Sequence, residues 1–134
     1  MSLAKILIVE DEGIVARDLR NRLIDMGYSV PAIVTTGEDA LKTAADTRPD
    51  LVLMDIRIKG AMDGIEVAEQ LRDTLGIPSI YLTAYTDGDT LRRAKITQPY
   101  GYIVKPFDER QLHSIIEMGL YRHKVEGQLK RGEQ

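Results

Sequence analysis

The segment KILIV at positions 5–9 is followed at once by three acidic residues, EDE at positions 10–12. An apolar run of this length without polar alternation is typical of a strand that is buried on both faces. Four further apolar or β-branched runs follow, at Ser29–Val34, Leu51–Met54, Ser79–Leu82 and Gly101–Val104. The pattern predicts five short strands, the first of which ends in a group of carboxylates.

Between these runs lie longer stretches with an apolar residue every three or four positions, which predict helices. The first helix is expected to end at Gly27, and the third to run from an N-cap at Asp63 to Gly76. The second and fourth are expected at about Glu38–Thr47 and roughly Asp87–Thr97. A fifth helix begins after Asp108, with an apolar face made of Leu112, Ile115, Ile116 and Leu120.

Strand and helix alternate in this order as five βα units. Because crossovers between parallel strands are right-handed, the pattern predicts an α/β fold, a doubly wound parallel sheet of five strands in a three-layer α/β/α sandwich. Ligands of such sheets bind at the carboxyl ends of the strands. The residues at those ends are therefore the candidates for function.

Composition narrows the class of protein. A chain of 134 residues with 43% apolar and 29% charged residues is expected to form one globular domain. The net charge of −3 predicts no direct nucleic-acid partner, and the absence of cysteine excludes disulfides and thiolate chemistry. No apolar run approaches the roughly 18 residues of a membrane span, so we expect a cytoplasmic protein without a membrane partner.

Polar residues end four of the predicted strands: Glu10 with Asp11, then Asp55, Thr83 and Lys105. Since parallel strands lie about 4.8 Å apart, the three carboxylates are expected to share one pocket. Each like-charge pair near 4 Å costs on the order of 4 kcal/mol at an effective dielectric of about 20, so the pocket should recruit a cation or hold a proton. Oxygen ligands alone favour Mg²⁺ or Mn²⁺ over zinc.

This arrangement suits phosphoryl transfer to a carboxylate. Asp55 is the expected nucleophile, Lys105 can contact a phosphoryl oxygen, and the Thr83 hydroxyl can donate to another after transfer. Taken singly, these residues have plainer interpretations. The acidic run at 10–12 favours the dipole of the next helix and caps its first turn, and Asp55 orders the following loop. Their occurrence together at four strand ends favours the site.

The segments ILIVEDE at 6–12, LMD at 53–55, LTA at 82–84 and YIVKPF at 102–107 resemble the response-regulator receiver domain. The resemblance covers about residues 4–121. It implies a flavodoxin-like sheet of strand order 2-1-3-4-5 and a phosphoryl group received from the phosphohistidine of a sensor histidine kinase or phosphotransfer protein. It also implies a signalling phospho-acceptor rather than an enzyme, which takes part only in its own phosphorylation and autodephosphorylation.

The resemblance also assigns roles at the metal site. Asp55 is the implied phospho-acceptor and a metal ligand, Asp11 a direct ligand, and Glu10 a ligand through water. The backbone carbonyl of Arg57 is the implied third protein contact to the metal. The implied cofactor is Mg²⁺, with Mn²⁺ as a substitute.

The resemblance also implies a conformational switch that follows phosphorylation of Asp55. Thr83 and Tyr102 resemble the pair in which the threonine turns toward the phosphoryl group and the aromatic ring moves inward behind it. Lys105 resembles the phosphate-contacting lysine, and its bond to Pro106 is expected to be cis. The implied output face is the fourth helix, fifth strand and fifth helix, through which a homodimer can form.

Two features depart from the common family pattern. The loop at 57–64 is one residue longer than usual and lacks the usual proline. The side chain of Arg57 is expected to cover Asp55 in part, and with Tyr85 it occupies a position that tunes the lifetime of the phosphoryl group.

Residues 122–134 are expected to form a helical extension with few anchors, either a solvated helix end or a truncated linker to an output domain. Met118, Tyr121, Val125 and Leu129 are spaced three, four and four apart, which indicates only a weak seam. No helix-turn-helix follows the receiver-like region. His113 and His123 are expected to be exposed helix residues.

Other phosphate-handling folds fit less well. An aspartate-nucleophile phosphatase of the haloacid-dehalogenase type needs an Asp-x-Asp motif at the first strand, and a flavin carrier needs a Ser/Thr/Gly-rich loop there. Residues 10–14 supply neither, and acids at that place repel phosphate. The remaining alternative is a receiver-like interaction module that is not phosphorylated.

Overall fold

The structure is a computed structural model that describes residues 4–84, 88–97 and 99–132. Strands and helices alternate along the chain, as the apolar pattern predicts. The elements are β1 Ile6–Val9, α1 Gly13–Asp25, β2 Ile33–Val34, α2 Gly37–Thr47, β3 Leu51–Asp55, α3 Gly64–Gln70, β4 Ser79–Thr83, α4 Gly88–Ile96, β5 Tyr102–Val104 and α5 Glu109–Gly132. A π-helical segment, Leu71–Leu75, continues α3.

The five strands form one parallel sheet in the order β2-β1-β3-β4-β5. Each face of the sheet buries its own cluster of apolar side chains. On one face, residues of α1 and α5 pack against the strands, and on the other, residues of α2, α3 and α4 do so. The expected doubly wound α/β fold, its strand order and its three layers are confirmed.

Helix ends follow the expected capping chemistry. Asp63 precedes α3, and its side chain accepts a hydrogen bond from the Glu66 N–H at 3.0 Å. The π-helical segment ends at Gly76, whose φ of +67° lies in the left-handed region that favours glycine. The expected stop after α1 is also confirmed, because α1 ends at Asp25, two residues before Gly27.

The second strand is shorter than expected. The apolar run predicts a strand at Ser29–Val34, but β2 contains only Ile33 and Val34, and Ser29 makes an isolated bridge with Lys5. Pro31 lies between the two paired regions and has no N–H to donate to a neighbouring strand, which interrupts the ladder. The expected start of α4 at Asp87 lies outside the described residues.

The last helix, α5, continues without a break past residue 121, where the receiver-like region was expected to end. In the described ranges, none of the helices has the length and apolar character that a membrane span requires.

Candidate functional site

Parallel register brings the polar strand ends to one rim of the sheet. β1 and β3 end level with each other, so Glu10 and Asp55 lie side by side. One strand further, the Lys105 N–H donates to the Thr83 carbonyl at 2.9 Å, which holds Lys105 at the same rim. The Lys105–Pro106 bond is cis, as the resemblance implies.

Three carboxylates converge at this rim. One oxygen each from Glu10, Asp11 and Asp55 lies within 4.8 Å of the others. Glu10 is fully buried and Asp55 is 6% exposed, whereas Asp11 is half-buried. An incomplete set of oxygen ligands that leaves room for water and a phosphate oxygen fits Mg²⁺ or Mn²⁺. We call these three residues and Lys105 the acid pocket.

Lys105 is the cation of the acid pocket. Its Nζ donates a hydrogen bond to Asp55 Oδ2 at 2.8 Å and lies 2.9 Å from Glu10 Oε2. The contact with Glu10 is close enough for an ion pair, but Oε2 has no hydrogen bond of acceptable geometry among the described residues. Lys105 therefore contacts two of the three carboxylates, and the formal charges of the four residues of the acid pocket leave negative charge in excess.

Burial and the close charges shift the pKa values of two groups in the acid pocket. Burial, together with the neighbouring Asp55 carboxylate, raises the pKa of Glu10 to about 7, against the lowering effect of Lys105. Burial lowers the pKa of the Lys105 ammonium, but its contacts with Asp55 and Glu10 outweigh burial, and the pKa is raised. The acid pocket thus favours an added cation or proton.

Asp55 also has the plainer role expected of it. Its Oδ1 accepts the Arg57 N–H at 2.9 Å, which orders the loop after β3. Its Oδ2 contacts Lys105, and the carboxyl group borders a cavity of about 180 Å³ that Thr83 and Arg57 also line. Arg57 is exposed, and Tyr85, its expected companion, lies outside the described residues.

The acidic run does not cap α1 as its plainer interpretation suggests. Glu12 occupies the N-cap position, but its side chain makes no capping hydrogen bond in the described structure. Instead, its N–H donates to Glu10 Oε1 at 3.1 Å, which helps to hold Glu10 at the rim.

The two expected switch residues are not engaged with Asp55. The Thr83 hydroxyl donates to the Ala84 carbonyl at 3.1 Å. The Tyr102 ring is half-buried, and its centroid lies 6.1 Å from that of Tyr81. Thr83 lines the same cavity as Asp55, and Tyr102 is the first residue of β5. The movement of these two side chains on phosphorylation stays a prediction.

Gly64 is a positioning residue that the sequence analysis did not identify. A Cβ there would lie 2.1 Å from the Asp55 carbonyl oxygen, so α3 can begin against the backbone of Asp55 only with glycine. The Gly64 N–H donates to the Ile56 carbonyl at 2.8 Å. A glycine directly after the Asp63 N-cap is the feature of the sequence that could have indicated this.

Comparisons with known proteins agree with the site. A family model described as response regulator receiver domain matches residues 6–117. The transcriptional regulatory protein PdtaR of Mycobacterium tuberculosis (strain CDC 1551 / Oshkosh) is 33% identical over 118 residues, covering 88% of this chain and 57% of PdtaR. The DNA-binding response regulator MtrA of Mycolicibacterium smegmatis is 34% identical over 122 residues, covering 91% of this chain and 53% of MtrA. The chain spans about half the length of these curated relatives.

Solved structures give the same result. The signal receiver domain of a modulated diguanylate cyclase from Desulfovibrio desulfuricans G20 is 41% identical with a TM-score of 0.88, covering 92% of this chain and 98% of that one. The N-terminal domain of a response regulator/sensory box/GGDEF 3-domain protein from Carboxydothermus hydrogenoformans is 36% identical with a TM-score of 0.82. The match covers 91% of this chain and 98% of that one. The chain therefore belongs to the response regulator receiver domain family.

Proposed function

We propose that Asp55 accepts a phosphoryl group from the phosphohistidine of a sensor histidine kinase or phosphotransfer protein, in a reaction that depends on Mg²⁺. The observation that carries this proposal is the acid pocket, in which three carboxylates and the Lys105 ammonium converge at one rim. A module without phosphorylation would have no use for buried carboxylates in excess of their cation, which destabilise the fold.

The proposed ligands of the metal are Asp11 and Asp55 directly, Glu10 through water, and the Arg57 backbone carbonyl. When bound, Mg²⁺ would neutralise charge on the transferring phosphoryl group. The raised pKa of Glu10 is consistent with a pocket that needs a cation.

In the proposed transfer, a carboxylate oxygen of Asp55 attacks phosphorus and the bond from phosphorus to the donor imidazole nitrogen breaks. The electron pair of that bond stays on the imidazole nitrogen, which can then take a proton. Lys105 Nζ, now 2.8 Å from Asp55 Oδ2, is placed to donate to a phosphoryl oxygen. The chain's part in the chemistry is limited to this transfer and to hydrolysis of its own acyl phosphate.

The proposed switch follows from the new acceptor oxygens. The Thr83 hydroxyl, which donates to Ala84 in this structure, would turn to the phosphoryl group, and Tyr102 would move inward behind it. The output face would be α4, β5 and α5, with homodimer formation as one outcome. Residues 4–121 would form the receiver and residues 122–134 a helical extension.

The direct partner proposed for this chain is protein, not nucleic acid. MtrA is named a DNA-binding response regulator, but this chain spans only 53% of its length. With a net charge of −3, the chain offers no broad basic field for a phosphate backbone.

The test is incubation with acetyl phosphate, with and without Mg²⁺, followed by intact mass spectrometry. Wild-type protein should gain one phosphoryl group only with Mg²⁺, and Asp55→Asn should gain none. Asp50→Asn is a matched control, because Asp50 adjoins the other end of β3 and binds the Lys5 N–H at 2.8 Å. Labelling that persists in Asp55→Asn, or its absence from folded, Mg²⁺-loaded wild type, would refute the proposal and favour the unphosphorylated module.

A further inference from the structure

The extension of α5 is attached to the base of the sheet, the end opposite the acid pocket. Tyr100, which precedes β5, donates its hydroxyl hydrogen to Glu126, and the Arg122 guanidinium lies 4.4 Å from the centroid of its ring. The His123 ring centroid lies 5.8 Å from that of Tyr100. Arg122 Nε also pairs with Glu126 Oε1 at 3.0 Å. We call these four residues the extension clamp.

A second attachment joins the clamp to another part of the base. His123 Nε2 lies 3.1 Å from the Gly76 carbonyl oxygen, at the end of the π-helical segment. The expectation of an extension with few anchors is therefore wrong, and His123 is half-buried where an exposed side chain was expected. The contacts with Tyr100 and Gly76 join residues far apart in the chain, so helical periodicity gave no indication of them.

Two glycines leave space for side chains between α5 and the sheet. A Cβ on Gly101, just before β5, would lie 2.7 Å from Ile115 Cγ2 of α5, and a Cβ on Gly119 of α5 would lie 3.1 Å from Ile80 Cδ1 of β4, so neither place has room for a larger residue. Packed interiors transmit displacement when there is no free space to absorb it. A shift of the chain near Gly101 should therefore move α5 as well.

Gly101 joins the extension clamp to the proposed switch. It separates Tyr100 from Tyr102, and its carbonyl accepts the Tyr81 N–H at 3.0 Å within the sheet. The clamp is therefore two residues along the backbone from the ring that is expected to move.

We propose that the extension clamp transmits the state of the switch to the C-terminal extension, so that phosphorylation at Asp55 changes how residues 119–129 are held at the base. This inference rests on the proposed function, because the movement begins at Tyr102. Met118, Tyr121 and Leu129 are exposed apolar side chains on the same helix. A change in the hold on α5 alters how they are presented to any output partner.

The test is amide hydrogen exchange of residues 119–129, measured with and without acetyl phosphate and Mg²⁺, with intact mass recorded on the same samples. Tyr100→Phe keeps the ring and removes the hydrogen bond to Glu126, and Glu126→Gln weakens the same bond from the other side. Both should raise exchange of the extension by roughly three- to tenfold before phosphorylation. Tyr121→Phe is the control, because Tyr121 is exposed on the same helix and should change nothing.

Phosphorylation should change the exchange of this segment in wild type, and the change should be lost in Tyr100→Phe while phosphoryl incorporation stays normal. Phosphorylated wild type with unchanged exchange would overturn the inference and leave the proposed function intact. Equal exchange in Tyr100→Phe and wild type before phosphorylation would also overturn it. A protein that gains no phosphoryl group would refute the proposed function, and the inference with it.

Discussion

The acid pocket and the extension clamp lie at opposite ends of the same sheet and differ in how their carboxylates are partnered. In the acid pocket, Lys105 contacts two of the three carboxylates, and burial raises the pKa of Glu10 to about 7. In the clamp, the Glu126 carboxylate has both a hydroxyl and a guanidinium partner, and the hydrogen bond from Tyr100 lowers its pKa.

The difference separates two tasks. Buried like charges at the rim make the apo protein less stable than it could be, and a bound cation or phosphoryl ligand can relieve or change that state. The clamp is satisfied by the chain itself and needs no ligand, which suits an element that holds a helix in place. We therefore expect substitutions and ligands to change the free energy of unfolding by different amounts, and in different directions, at the two ends of the sheet.

The largest expected effect on stability comes from a substitution that forces a side chain against the backbone of Asp55. Gly64→Ala puts a Cβ 2.1 Å from the Asp55 carbonyl oxygen, and a backbone atom cannot move aside as the end of a flexible side chain can. We expect a loss of about 3 kcal/mol in the free energy of unfolding, measured by urea denaturation followed by circular dichroism.

Gly88→Ala is the matched control, since Gly88 also begins a helix but a Cβ there meets no atom within 4 Å. Its free energy of unfolding should change by less than about 0.5 kcal/mol. Equal effects of the two substitutions would show that the close approach at Gly64 is not a constraint.

The second prediction concerns the increase in the free energy of unfolding when a metal ion binds the acid pocket. A cation that binds only the native state at ten times its dissociation constant adds about 1.4 kcal/mol to the free energy of unfolding. We expect Mg²⁺ to stabilise wild type in this way, measured by urea denaturation at constant ionic strength. Asp11→Asn should lose the effect, whereas Asp25→Asn, on the exposed end of α1, should keep it. Stabilisation that survives in Asp11→Asn would place the cation elsewhere.

The smallest effect compares two buried hydroxyls near the base. Ser79 Oγ is buried without a hydrogen-bond partner among the described residues, so Ser79→Ala should stabilise the protein by roughly 0.5–1 kcal/mol. The Thr97 hydroxyl lies 2.8 Å from the Tyr81 hydroxyl and donates to the Ala94 carbonyl, so Thr97→Val should destabilise by roughly 1 kcal/mol. Thermal or urea unfolding of both variants gives the two signs, and a destabilised Ser79→Ala would mean that this hydroxyl has a partner.

Much of the fold could be predicted because its pattern is local. Apolar runs and helical periodicity depend on neighbours within a few residues, and the Asp63 N-cap and the Gly76 stop depend on single residues. The predicted length of β2 is wrong, because Pro31 has no N–H to pair with a neighbouring strand. An apolar run gives no information about such pairing. The strand order came from the family resemblance, and the sheet confirms it.

The candidate site divides in the same way. Glu10, Asp11, Asp55 and Lys105 could be named in advance, because parallel strands bring their carboxyl ends to one rim. Gly64 was not named, because its importance lies in a distance to the backbone of Asp55, and the only sign of it in the sequence is its place directly after the Asp63 N-cap.

By itself, the sequence determined the alternation of strand and helix, the residues at the strand ends and the chemical type of the acid pocket, because these depend on residue identity and short spacing. Only the tertiary structure decided which charges are paired, how closely Gly119 of α5 packs against Ile80 of β4, and that Tyr100 holds the extension. The physical reason is that these properties depend on distances and burial between segments that are far apart in the chain, and local pattern carries no information about either.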